Sequence, residues 1–212
     1  MADNFDRINT EESNLLACMD STGSVTSRVE LLTERLGRLP DQVAHPALII
    51  ISGLPGAGKT YFAKRLAEKI PAVILESDAL RKTLFTNPGY STRESNRLFE
   101  TIHILIGRFL KRGFMVILDA TNLSERHRET LYQIAERNDA RLIIAYLEAP
   151  PEVIEERLSQ RSGDAGNLSD ADWSVYLRMR GSVDVIKRRH YIVDTTEDIA
   201  PSIDKIAKEV ME

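Results

Sequence analysis

The stretch Ala47-Leu-Ile-Ile-Ile-Ser-Gly-Leu-Pro-Gly-Ala-Gly-Lys-Thr60 decides how the rest of the chain is read. An apolar run rich in β-branched residues reads as a buried strand and stops at Gly53. Gly58-Lys59-Thr60 then completes the pattern G-x-x-x-x-G-K-[ST], and apolar residues at helical spacing follow. Glycines let a backbone wrap tightly enough to aim its N–H groups at phosphate oxygens, and the next helix adds the positive end of its dipole. The pattern predicts a nucleotide cradle made of Gly53, Gly56, Ala57, Gly58, Lys59 and Thr60, with Tyr61 in the first helical turn. Lys59 is expected to reach the β- and γ-phosphates, and the Thr60 hydroxyl to ligate Mg²⁺.

Outward from that loop, strand and helix patterns alternate. Phe62, Ala63, Leu66, Ala67 and Ile70 recur at helical spacing and stop at Pro71. Strands are expected at 72–76, 114–118, 141–147 and 191–194, with helices after each and an apolar helix over about 94–111. Ser162-Gly-Asp-Ala-Gly-Asn167 reads as a flexible loop, and Ser169 as the cap of a helix running to about Arg180. Five strands alternating with helices predict a three-layer α/β fold with a parallel sheet. Ligands in such sheets sit beyond the carboxyl ends of the strands.

Residues 1–45 read as an acidic, partly helical extension, and 46–212 as the main domain. The extension holds eight acidic and four basic residues, which is the whole net charge of −4; the remaining 48 charged residues balance. A helix over about 26–36 has Val29, Leu32 and Leu36 on one face, to be buried against the main domain or another subunit. Thr10 to Met19 is a weaker helical candidate. Nothing advertises a long polyanion as partner. Cys18 is the one cysteine, the N-terminus does not read as a signal peptide, and no apolar run approaches the ~20 residues of a spanning helix. Together these point to a cytoplasmic protein without a membrane partner.

The strand ends supply the candidate chemistry. Asp78 follows the second strand, where a carboxylate can take the proton of an attacking hydroxyl. Arg81 lies one helical turn on, suited to an anionic group on the acceptor; an N-cap aspartate with a surface arginine is the plainer alternative. Asp119 follows Met-Val-Ile-Leu, the Walker-B arrangement for holding Mg²⁺, with a strand-end cap as the plainer alternative. Thr121 and Asn122 either bind the acceptor or shape a turn. Arg157 and Arg161, one turn apart before a glycine-containing loop, either close over the γ-phosphate or serve the helix's solubility alone.

At these residues the chain resembles the P-loop phosphotransferases that include 5′-hydroxyl polynucleotide kinases, zeta-type toxins and small-metabolite kinases. The likeness covers roughly 46–200 and rests on Gly53 to Thr60, Ser77-Asp78 with Arg81, Asp119-Ala-Thr-Asn122, and Arg157 with Arg161. It implies the strand order 2-3-1-4-5, and it implies that Asp78 activates the acceptor while Arg81 contacts an acceptor phosphate. The expected activity is ATP- and Mg²⁺-dependent transfer of a γ-phosphate to a hydroxyl. A nucleic-acid 5′-hydroxyl suits the Asp78/Arg81 spacing. A small metabolite suits a neutral module without an aromatic–basic stripe, and is preferred. The alternative is a P-loop ATPase, switch or interaction protein with no small-molecule acceptor; the absence of an Asn-Lys-x-Asp signature speaks against a GTPase.

Overall fold

A computed structural model describes residues 23–161 and 171–212. Its centre is a five-stranded sheet, β1 (Ala47–Ser52), β2 (Ala72–Glu76), β3 (Met115–Asp119), β4 (Arg141–Glu148) and β5 (Tyr191–Asp194). All pairings are parallel and the order is β2-β3-β1-β4-β5, as the resemblance implied. In β1 every residue is buried, because helices cover both faces of the sheet. Alternation divides the strand between the layers. Leu48 and Ile50 join Val116 and Leu118 on one face, while Ala47, Ile49 and Ile51 join Met115 and Ile117 on the other.

The first layer contains α1 (Val25–Arg35), α3 (Ser77–Leu84), α4 (Thr92–Lys111) and α5 (Glu125–Arg137). The second contains α2 (Lys59–Ala67) and α8 (Ala200–Met211). A smaller cluster joins α6 (Pro151–Arg161) to α7 (Trp173–Met179) through Ile154, Leu158 and Tyr176. The sequence placed the start of this last helix at Ser169. Asp172 is the cap, its carboxylate accepting the Val175 N–H at 2.9 Å. Ser169, the loop expected over 162–167 and the helix expected over 10–19 lie outside the described residues.

The partner of the extension's apolar face is the main domain. Val29 and Leu32 of α1 are fully buried in the same core as Leu80, Leu98 and Ile102. Burial of each such side chain contributes roughly 1.5–3 kcal/mol. Arg28 fastens the helix with bonds to Thr101 Oγ1 (3.0 Å) and Glu100 (2.8 Å). Downstream, the Val43 N–H donates to the Gly113 carbonyl at 2.7 Å. Helix α1 therefore braces α3 and α4, the two helices beside the strand end that carries Asp78. Among the described residues no helix is long and apolar enough to cross a membrane.

Candidate active site

The loop between β1 and α2 is built around glycines that nothing else can replace. Gly53 has φ +151° and its backbone starts the turn; a Cβ there would lie 2.5 Å from the Leu147 carbonyl oxygen. Gly56 has φ +82°, and its Cβ would lie 2.7 Å from Ile154 Cγ2. The Gly53 N–H donates to the Thr121 carbonyl at 3.1 Å, which ties the loop to the segment after β3. Gly58 caps α2 with left-handed geometry and no side-chain bond to the first-turn N–H groups. Such a terminus is an anion-binding surface. Ala57 is buried beneath it, and the Lys59 ammonium donates to the Leu54 carbonyl at 3.0 Å, across its own loop.

The two residues expected to hold a cation meet directly. Thr60 Oγ1 donates to Asp119 Oδ2 at 2.7 Å. Asp119 is 3% exposed. Burial pushes its carboxyl above the ordinary range, against the pull of Lys59 and the Thr60 bond, with Asp78 adding to the rise. Glu76 stands opposite Asp119 in the β2–β3 register. Its carboxyl is also raised, first by burial and then by Asp119. A patch of oxygen ligands deprived of water and of enough positive charge suits a hard divalent cation.

One cavity of about 460 Å³ gathers Lys59, Thr60, Glu76, Asp78, Arg81, Asp119 and Thr121. Asp78 stands there in the first turn of α3. From the far side α7 contributes Val175, Arg178 and Met179, and the α3–α4 region contributes Tyr90 and Phe99. A second cavity, of about 530 Å³, opens beside Gly58 between Tyr61, Arg157, Gln160 and the 195–199 turn. Tyr61 is 62% exposed at its edge.

Three expected site residues are engaged otherwise. Asn122 does not line the main cavity. It is buried with φ +48°, and its amide nitrogen donates to the Ile51 carbonyl at 2.7 Å and to Ala120 O at 3.3 Å. A carbonyl at the inner end of β1 needs a donor, and Asn tolerates the left-handed turn that supplies one. These bonds are those of the turn-shaping reading. Arg81 lines the cavity, its guanidinium paired with Glu94 at 2.6 Å and its Nε without a partner among the described residues. Arg157 reaches the phosphate loop, donating to the Gly56 carbonyl at 3.4 Å. It also donates to Thr195 Oγ1 (2.8 Å) and Thr195 O (2.7 Å), bracing the turn beside the second cavity. Arg161 ends α6, and its side chain lies outside the described residues.

Sequence reasoning passed over Glu76, Tyr90, Glu94, Phe99 and Arg178. For Arg178 a signal existed. Val175, Arg178 and Met179 fall on one helical face, while Trp173 and Tyr176, stacked with centroids 4.6 Å apart, anchor the other. Also missed was Arg128, fully buried in α5. It pairs with Glu125 at 2.7 Å and donates to the carbonyls of Asn122 (2.8 Å), Leu123 (2.7 Å) and Asp184 (2.8 Å), locking the loop after Asp119.

Comparison with known proteins adds to this geometry. The family described as AAA domain matches residues 48–186. The L-seryl-tRNA(Sec) kinase of Methanococcus maripaludis is 29% identical over 170 residues, which cover 78% of this chain. The chain spans only 65% of that relative's length. Among solved structures, the Mycobacterium tuberculosis APS kinase in complex with AMPPNP and APS superposes with a TM-score of 0.57 at 18% identity, covering 79% of this chain and 96% of the other. A gluconokinase from Sinorhizobium meliloti 1021 gives 0.56 at 19% identity, with 78% of this chain and 96% of the other covered. At these identities the two structures are similar to the chain in fold.

Proposed function

The chain belongs to the AAA domain family, and from that membership we propose that it is an ATP- and Mg²⁺-dependent kinase that transfers the γ-phosphoryl group to a hydroxyl. The observation that carries this reading is the single cavity shared by Lys59, the Thr60–Asp119 pair and Asp78. A nucleotide-binding switch has no need of a carboxylate lodged beyond its phosphate loop in space open to a second molecule. The names of the relatives support phosphoryl transfer, and the acceptors in those names differ.

In this reading the N–H groups from Gly56 to Thr60 hold the phosphates, and Lys59 leaves the Leu54 carbonyl to bridge them. The Thr60 hydroxyl and the Asp119 carboxylate would hold Mg²⁺, which would neutralise phosphate charge. Asp78 accepts the proton of the acceptor hydroxyl as its oxygen bonds to the γ-phosphorus and the bond to the departing ADP oxygen breaks. Arg178, reaching the cavity from α7, joins Arg157 and Arg161 among the cations that face the transferring group. The adenine lies in the second cavity beside Tyr61 and the turn at Thr195. Residues 46–212 form the kinase module, α1 of the extension steadies it, and a cytoplasmic setting belongs to the same reading.

Asp78→Asn tests the assignment. Transfer to acceptor is expected to fall by at least about 100-fold, the usual worth of a general base. Nucleotide affinity, measured by calorimetry, should stay within about twofold. Full transfer in that variant would remove Asp78 from the mechanism.

A further inference from the structure

The main cavity is not lined by polar groups alone. Tyr90, Phe99, Val175 and Met179 also line it, with Arg178 on the same face of α7 as the last two. Of the cations lining this cavity, Arg178 is given to the transferring group in the kinase reading, and Arg81 is compensated. Its side chain is 7% exposed and that of Glu94 11%, with 2.6 Å between them. Glu94 is held ionised: burial opposes it, but the Arg81 and Gly89 bonds outweigh burial and lower its carboxyl. An anionic group on an acceptor would meet a pair of zero net charge, not a waiting guanidinium.

Tyr90 is held in place at some cost. Its φ of +53° is unusual for a bulky L-residue, and such strain persists only where neighbours over-determine it. Glu94 supplies the restraint by accepting the Gly89 N–H at 2.8 Å, with a further bond from the Tyr90 backbone. Arg81 supplies another, its guanidinium carbon lying 4.6 Å from the Tyr90 ring centroid. Tyr90 remains 44% exposed and lines the cavity. The Arg81–Glu94 pair thus works as a bracket that presents an aromatic surface.

We propose that the acceptor is an uncharged alcohol bearing a flat ring, of nucleoside size, and that Tyr90 with Phe99 forms the surface on which the ring stacks. This rests on the kinase reading above and departs from the acceptor-phosphate contact that the resemblance implied for Arg81. Tyr90 is the specificity-determining residue, and Glu94 is a positioning residue that also silences the charge of Arg81.

The test compares adenosine, uridine and pyridoxine with ribose, gluconate and adenosine 3′-monophosphate. Binding to the full chain loaded with AMPPNP is measured by calorimetry, and transfer from labelled ATP is measured separately. A ring-bearing neutral alcohol is expected to bind and to be phosphorylated at least about tenfold more efficiently than ribose or gluconate. A 3′-phosphate should bring no gain. Tyr90→Ala should raise KM for the ring-bearing acceptor by roughly 5- to 150-fold, the span of a lost base–aromatic stack, while Tyr90→Phe restores it. Glu94→Gln frees Arg81 and should shift preference toward adenosine 3′-monophosphate, which a merely structural glutamate would not do. Phosphorylation of gluconate or ribose without the ring-bearing compounds overturns the proposal and leaves the kinase reading standing. Ring binding without transfer to any compound upholds the stacking surface and sinks the kinase reading. No ring binding below about 10 mM, beside normal AMPPNP affinity, overturns the proposal outright.

Discussion

Asp119 illustrates what a single residue can cost. Its carboxyl is raised by burial first, so the folded chain holds that proton more tightly than the unfolded chain does. The resulting stabilisation is fully present below the unfolded value of about 3.9 and is lost as pH rises through the raised folded value. At neutral pH the ionised group therefore works against folding in the absence of a cation. Asp119→Asn keeps an acceptor for the Thr60 hydroxyl and removes the charge. Thermal melts of the nucleotide-free protein at pH 7.5 should show a gain of about 2–4 °C, the shift made by about 1 kcal/mol in a chain of this size. The gain should vanish near pH 4, and the stabilisation added by Mg²⁺ with nucleotide should shrink. An unchanged or lowered melting temperature at pH 7.5 would show that the ionised carboxylate is not a burden.

At the scale of elements, the phosphate loop is fitted against β4 and α6, and its glycines answer to different neighbours. A Cβ on Gly53 meets the Leu147 backbone carbonyl at 2.5 Å, where nothing can yield. A Cβ on Gly56 meets Ile154 Cγ2 at 2.7 Å, a side chain that can be cut back. Alanine at either site also takes a left-handed or mirror-region backbone, a penalty of roughly 1–2 kcal/mol. Both substitutions should weaken nucleotide binding. Ile154→Ala should recover part of the affinity lost in Gly56→Ala and none of that lost in Gly53→Ala. Dissociation constants for AMPPNP across the double-mutant cycle check this. Equal rescue of both would mean that backbone strain alone, and not contact with α6, governs the loop.

Across the whole molecule, the cleft draws its parts from distant stretches: the loop after β1, the ends of β2 and β3, the turn around Tyr90, and α7. Packing of Trp173 and Tyr176 onto α6 sets the face of α7 that puts Arg178 at the cavity. Arg178→Met keeps the apolar stem and removes the charge. It should lower kcat by roughly 100- to 1,000-fold with little change in ATP affinity, as expected of a donor that acts on developing charge. Steady-state kinetics beside direct nucleotide binding check the split, and a loss confined to ATP affinity would assign Arg178 to ground-state binding.

The sequence by itself determined the layered α/β fold, the phosphate loop and the strand-end acids Asp78 and Asp119. These follow from local periodicity and from backbone demands that few residue types meet: a buried strand, a positive-φ loop and a helix start fall within fourteen consecutive residues. Only the tertiary structure decided which polar side chains are already spoken for. Arg81, Asn122 and Arg157 look alike in sequence as ready ligands, yet Glu94, the Ile51 carbonyl and Thr195 occupy them from 13, 71 and 38 residues away. Arg178 and Tyr90 become wall residues for the same reason. A charge is satisfied or left available by whatever the packed core brings beside it, and that pairing has no period along the chain.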